Sequence, residues 1–272
     1  ITRLQARGVA IIYISHRLEE LARVAQRIAV LRDGKLVCVE PMANYNSEQL
    51  VTLMVGRELG EHIDLGPRTI GGPALTVKGL TRSDKVRDVS FEVRAGEIYG
   101  ISGLIGAGRS EFALGLYGRH KLTAGEVFWD GKKVVIDTER KAMDLGIALA
   151  PESRRDQGLC LNLPIGLNIN LPVFGRLSRG LTISPKLEAG NADKQINDLK
   201  IKTPTRAVLA SAMSGGNQQK IVIGKWLSHG ARLFIFDEPT VGVDVGTKAE
   251  IYRLFAELLK QGAGIILISS YL

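Results

Sequence analysis

Ile98-Tyr99-Gly100-Ile101-Ser102-Gly103-Leu104-Ile105-Gly106-Ala107-Gly108-Arg109-Ser110-Glu111 reads in three phases: a short apolar strand to Ile101, a glycine-rich turn, and the start of a helix. A glycine-rich turn at a helix N-terminus presents backbone N–H groups as a nest for anions, so phosphate oxygens are the natural ligand of Gly103 to Glu111. The Ser110 hydroxyl stands where it can reach a magnesium ion. The standard form of such a loop carries lysine where Arg109 stands. Arginine keeps the charge but aims a larger planar fork differently, so binding survives while positioning of the terminal phosphate suffers. The bland alternative is a closely packed helix start that binds nothing, and the loop alone leaves it open.

Two further stretches bear on that alternative. Leu233-Phe234-Ile235-Phe236-Asp237-Glu238 is a buried strand ending in two acids. There Asp237 can hold magnesium through water and Glu238 can polarise an attacking water; the bland reading is an acid pair at a helix start. About twenty residues earlier, Ser214-Gly215-Gly216-Asn217-Gln218 precedes a helix and builds a second phosphate-binding N-terminus, or merely an N-cap and turn.

The chain also contains a repeat. Gly8-Val9-Ala10-Ile11-Ile12-Tyr13-Ile14-Ser15-His16 near its start matches Gly262-Ala263-Gly264-Ile265-Ile266-Leu267-Ile268-Ser269-Ser270 near its end, each after a Leu-rich helical stretch. Both read as buried strands with polar ends, aligning His16 on Ser270. The expectation is therefore a tail of a first domain over 1–55, a Gly- and Pro-rich linker over 56–73, and a second domain over 74–272. Within the second domain, alternating strands and helices imply a mostly parallel sheet, interrupted by an inserted helical subdomain at about 159–220. In the first, Arg27 to Val39 reads as two strands around a turn and Ser47 as the cap of a helix through Met54. With the second domain ending at Leu272, the tail is expected to dock on its sheet, Val9 to Ile14 competing with or pairing beside Ile265 to Ile268.

Composition narrows the function classes. With 45% hydrophobic and 24% charged residues the chain can bury a core, and no apolar run approaches the roughly 18 residues that cross a bilayer. A membrane role must then go through a partner. The charge of +8 is spread without long basic blocks or interleaved aromatics, which argues against nucleic acid. Cys38 and Cys160 fit neither a metal spacing nor a disulfide framework, and both read as buried small hydrophobes of a reducing compartment. His62, His120 and His229 lack ligand-like neighbours in sequence.

The order of phosphate loop, Met213-Ser214-Gly215-Gly216-Asn217, Asp237-Glu238 and Val241-Gly242-Val243-Asp244 resembles the ATPase domains of ABC transporters. More narrowly the chain is similar to tandem-domain ATPases that energise monosaccharide import. The features are the Gly-Ala-Gly-Arg-Ser-Glu loop, Ala150-Pro151-Glu152-Ser153-Arg154 in place of a glutamine loop, and Ile14-Ser15-His16. The resemblance implies an α/β nucleotide-binding fold of the phosphate-loop type with an antiparallel β subdomain, ATP and Mg2+ as cofactors, and a place at the cytoplasmic face of the cell membrane. It also implies a membrane-spanning permease, an external sugar-binding protein acting indirectly, and a second ATPase domain in a sandwich dimer as partners. Glu238 and His16 would be catalytic, Ser110 and Asp237 would hold the metal, Ser214 to Gln218 would form the signature, and the coupling loop Leu149 to Leu161 would face the permease, with Glu152 near the nucleotide and Arg154 and Arg155 beyond it. Against the family pattern, Ser270 replaces a histidine, Arg109 replaces lysine, and no adenine-stacking aromatic is evident near Lys85 to Asp88. The second domain's own loop is therefore expected to belong to a weak or non-hydrolysing site.

Overall fold

A computed structural model describes residues 1–15, 18–32, 34–55, 65–82, 85–104, 106–179, 182–243 and 245–270, the side chains of Glu19, Val55, Arg179 and Val245 excepted. His16, Ile105, His62, Asp244 and the 56–64 part of the expected linker lie outside the described residues. The chain separates into two units, Ile1–Asp64 with Val243–Arg253, and Leu65–Gly242 with Leu254–Leu272.

The smaller unit contains α1 (Thr2–Gln5), α2 (Leu18–Val24), the antiparallel pair β1 (Arg27–Arg32) and β2 (Lys35–Pro41), and α3 (Ser47–Val55). Alternation along β1 buries Ile28 and Val30 against Leu21, Met42 and Leu50. The helix cap is Asn46 rather than Ser47: the Gln49 amide donates to Asn46 Oδ1 at 2.8 Å, and the Asn46 amide donates to Gln49 Oε1 at 2.9 Å. That reciprocal pair is a capping box.

Gly8 to Ser15 is not the buried strand its sequence suggests. Residues 9–15 hold no regular structure, with Ile12 and Ile14 93% and 92% exposed. A parallel strand needs hydrogen-bonding neighbours, and apolar content alone does not supply them.

The larger unit shows what the same pattern does when neighbours exist. Its elements in order are β3 (Pro73–Arg82), β4 (Val86–Arg94), β5 (Ile98–Ser102), α4 (Arg109–Leu116), β6 (Ala124–Trp129), β7 (Lys132–Val134), α5 (Glu139–Leu145) and β8 (Ile147–Ala150). There follow α6 (Ile165–Asn170), α7 (Phe174–Leu177), β9 (Ser178–Arg179), β10 (Thr182–Ile183), α8 (Pro185–Asp198) and α9 (Gly215–His229). The chain closes with β11 (Leu233–Asp237), α10 (Val245–Lys260) and β12 (Gly264–Ser269). A parallel sheet runs β5-β12-β11-β8 and an antiparallel sheet β4-β3-β6-β7. Because β12 is bonded to β5 on one side and β11 on the other, it has no free edge, and the expected pairing beside Val9 to Ile14 does not form.

Every residue of β11 and β8 is buried, as a parallel sheet covered on both faces requires. Asp130-Gly131, both at positive φ, make the two-residue turn between β6 and β7, a hairpin signal present in the sequence. Helices α6 to α9 form the insertion between β8 and β11, and α9 continues past residue 220 to His229. Fully buried Asn168 holds the entry to it: the Cys160 amide donates to Asn168 Oδ1 at 2.8 Å, and its Nδ2 donates to the carbonyls of Cys160, Leu163 and Pro164. Cys160 itself is exposed, contrary to expectation, while Cys38 is half-buried against the smaller unit's core. Among the described residues no helix is long and apolar enough to cross a membrane.

Beneath the parallel sheet's acidic end, the Phe236 ring lies 4.5 Å from that of fully buried Phe255. Phe255→Ala leaves a cavity there and is expected to cost about 3–5 kcal/mol of stability, read as a lowered urea midpoint at unchanged m-value.

Candidate functional site

The register of the parallel sheet sets the site. Ile268 of β12 lies opposite Asp237 of β11 and opposite Ile101 of β5, and Ser269 lies opposite Ser102. The Asp-Glu strand and the strand feeding the glycine loop therefore end at one level, about 10 Å apart across two strand spacings. Ligands of open α/β sheets bind beyond this carboxyl edge.

From Ser102 the chain turns through Gly103 to Gly108 into α4. Gly108 is the N-cap, at φ 87°, with no side-chain hydrogen bond closing the helix start. A Cβ here would lie 2.6 Å from the Lys85 carbonyl oxygen, so the loop passes too close to the β3–β4 connection for any side chain. The Lys85 ammonium also meets Glu111 Oε1 at 2.8 Å in the first turn of α4, holding that carboxyl below its usual range.

Consecutive residues of α4 reach back to the acidic strand. Arg109 Nη1 lies 3.2 Å from Glu238 Oε1, the two side chains only 12% and 7% exposed. The Ser110 hydroxyl lies beside the Asp237 carboxyl. Burial pushes the Asp237 carboxyl above its usual range, opposed by the neighbouring Ser110 hydroxyl; Glu152 and Glu238 add to the rise and Arg109 opposes it. Its Oδ1 is buried without a hydrogen-bond partner. An orphaned carboxylate oxygen beside a hydroxyl is costly unless a cation or water completes it. Glu238 sits at φ 47°, a left-handed conformation unfavourable for a side-chain-bearing residue, and its amide donates to Ile268 O at 3.0 Å. Ser270, aligned with His16, follows β12 and is exposed.

A cavity of about 340 Å³ adjoins the loop, lined by Lys85, Val86, Phe91, Tyr99, Gly108 and Arg109 among others. Phe91 stacks on Tyr99 at 4.8 Å and meets Phe112 edge-on at 5.5 Å. No aromatic stands near Lys85 to Asp88 in the sequence; the fold supplies three from β4, β5 and α4, and the alternation Tyr99, Ile101 along β5 is the available signal.

The signature stretch lies at another helix start. Ser214 caps α9, its hydroxyl accepting from the Asn217 side chain at 3.1 Å and the Asn217 amide at 3.5 Å. Asn217 Oδ1 accepts from the Lys202 amide at 3.0 Å, and Gln218 Nε2 donates to Ala210 O at 3.0 Å. Arg154, expected to face a partner, turns inward: Nη1 donates to Val241 O at 3.0 Å and Nη2 to Gly242 O at 3.2 Å. A Cβ on Gly215 would lie 2.7 Å from the same Nη2. Glu152 and Arg155 remain exposed.

Known proteins fit this geometry. A nucleotide-free ATP-binding cassette from an ABC transporter superposes with a TM-score of 0.63 at 20% identity, covering 73% of this chain and 81% of that one. A dimeric bacterial ABC transporter cassette gives 0.61 at 22% identity, covering 72% and 88%. These likenesses show the fold: a phosphate-loop α/β domain of the ATP-binding-cassette type. Residues 86–241 match the ABC transporter family, and the chain belongs to it. It is also 42% identical over 270 residues to a putative ribose/galactose/methyl galactoside import ATP-binding protein of Agrobacterium fabrum, covering 99% of this chain and 54% of that one. To a ribose import ATP-binding protein of Halalkalibacterium halodurans it is 44% identical over 272 residues, covering 100% and 54%. The chain thus spans about half the length of the curated relatives it matches.

Two glycine substitutions separate conformation from crowding in the loop. Gly106 and Gly108 share a positive φ, but only Gly108 has an obstructing neighbour. Gly106→Ala is expected to cost about 1 kcal/mol, whereas Gly108→Ala must also displace the Lys85 backbone and should cost at least twice that. Thermal melts of the two variants check the order.

Proposed function

We propose that this chain is part of an ATP-binding, ATP-hydrolysing subunit that energises monosaccharide import through an ABC transporter. The observation that carries the reading is the buried cluster of Arg109, Ser110, Asp237 and Glu238 beneath an uncapped glycine loop. The import function is supported by the printed names of relatives at 42–44% identity.

In this reading the N–H groups of Gly103 to Glu111 cradle the phosphates of ATP, and Glu238 orients and deprotonates the attacking water. Ser110 and Asp237 would hold Mg2+, which supplies charge neutralisation at the phosphates. The residues suit that ion: Asp237 offers an unpartnered oxygen next to a hydroxyl. Among the described residues no cluster of three or more His, Cys, Asp or Glu makes an all-protein cage, and Mg2+ characteristically takes one or two protein ligands plus phosphates and water. Arg109 has a double allegiance. Its guanidinium neutralises Glu238 in this structure, and phosphate must draw it away before Glu238 can act as a base. The pair supports the reading of this loop as a weak or slowly hydrolysing site, and the exposed Ser270 in place of histidine supports it further.

The remaining assignments follow the same reading. Residues 1–55 are proposed as the tail of a preceding ATPase domain, 56–73 as a linker and 74–272 as the second domain, with His16 serving the first domain's nucleotide. Ser214 to Gln218 would face the phosphate loop of another ATPase domain in a sandwich dimer. The loop carrying Glu152 and Arg154 would answer to a membrane-spanning permease, with an external sugar-binding protein delivering substrate and this subunit peripheral on the cytoplasmic face.

Binding of a fluorescent ATP analogue with Mg2+ and steady-state phosphate release test the site. Weak binding with slow or no release is expected, and Arg109→Lys should tighten binding about tenfold, near 1.4 kcal/mol. Brisk phosphate release abolished by Glu238→Gln would contradict the weak-site reading, and equal affinity in Arg109→Lys would undermine the loop assignment.

A further inference from the structure

Helix α9 carries the signature turn at its start and, about three turns on, Lys225 and Trp226. Trp226 Nε1 donates to Leu149 O of β8 at 2.8 Å, in a fully buried bond. Lys225 Nζ donates to Gly158 O at 2.7 Å and lies 5.0 Å from the centre of the Trp226 ring. The acceptor belongs to the turn of Arg154 to Gly158 that follows β8, the same turn whose Arg154 grips Val241 O and Gly242 O. Gly158 is buried, and a Cβ on it would lie 3.1 Å from Val222 of α9, so this turn packs directly on the helix. Two residues further on, Cys160 is pinned through its amide and carbonyl by Asn168. Arg155, Asp156 and Gln157, between these fastenings, are exposed.

We propose that Lys225 is a positioning residue which fastens the 154–158 turn to the signature helix, while Arg154 ties the same turn to the 241–242 backbone beside Gly215, so that displacement of the turn re-aims Ser214 to Gly216. The geometry supplies both ends of a lever. Arg154 sits against Gly215 at the start of α9, and Lys225 holds the far side of the turn to the middle of the same helix. Lys225 is half-buried, and its ammonium is committed to one backbone carbonyl and the face of the Trp226 ring. Burial pushes Lys225 down to about 8 from 10.5, a cost that an apolar residue at the same position would avoid. A force applied by a partner at Arg155 to Gln157 would then reach the signature without passing through the phosphate loop. This rests on the proposed role of the signature, but the fastening itself is measurable without nucleotide.

Hydrogen–deuterium exchange of the full chain tests it. Lys225→Met should speed exchange of amides in both 155–160 and 215–219 by about tenfold, the effect of losing one charge-assisted hydrogen bond, with 106–111 unchanged. Lys225→Arg, which keeps a charged donor, should restore protection in both segments. Faster exchange in 155–160 alone would overturn the lever, and unchanged exchange in both would overturn the fastening. Should Lys225→Met fail to fold, Arg154→Gln provides the second arm: it must free 215–219 together with 155–160, and wild-type exchange in either segment sinks the proposal. Nucleotide affinity, measured in parallel, belongs to the other hypothesis, and its failure would leave these outcomes readable.

Discussion

The ladder of hydrogen bonds that places β12 between β5 and β11 is the constraint on which the site depends. Without it the glycine loop and the Asp-Glu strand, more than a hundred residues apart in sequence, have no common level. With it, Ile268 lies opposite both Ile101 and Asp237, and only the first turn of α4 is needed to span the remaining gap. Arg109 and Ser110 do this with adjacent side chains, one to each acid. The cost of gathering these groups away from water is large: Asp237 keeps one oxygen unsatisfied and Glu238 a left-handed backbone. Such strain and incompleteness at one place are what a ligand-completed site contains.

The internal repeat supplies a control on the same physics. Gly262 to Ser269 and Gly8 to Ser15 are close in pattern, yet the first becomes a central strand and the second does not, with Ile12 and Ile14 facing water. The difference lies in what each has beside it. A run of β-branched residues is permissive for a strand, whereas neighbouring strands decide whether its backbone groups are paired.

Much of the site was legible in the sequence because glycine and acid spacing report local geometry. The glycine-rich turn, the Ser214 cap and the acids at the end of β11 are marked by residue types within a few positions of one another, although the close approach at Gly108 comes from Lys85. What escaped depends on tertiary contact. The Arg109–Glu238 pair joins residues 129 apart, and nothing local distinguishes an arginine that waits for phosphate from one held by a carboxylate. The inward turn of Arg154 escaped because its acceptors are carbonyls at Val241 and Gly242, and backbone acceptors leave no trace in residue type. Cys160 is exposed although Asn168 holds its backbone amide and carbonyl, and nothing local in the sequence reports that exposure.

The central claim is that Arg109 is shared between Glu238 and the phosphates of ATP. A double-mutant cycle of Arg109→Met and Glu238→Gln, read as the affinity for a fluorescent ATP analogue with Mg2+, measures that sharing directly. Glu238→Gln should tighten binding with Arg109 present by about 1–3 kcal/mol more than it does in the Arg109→Met background, since only then is a cation released for phosphate. An equal change in both backgrounds would show that the two side chains act independently and would contradict the account.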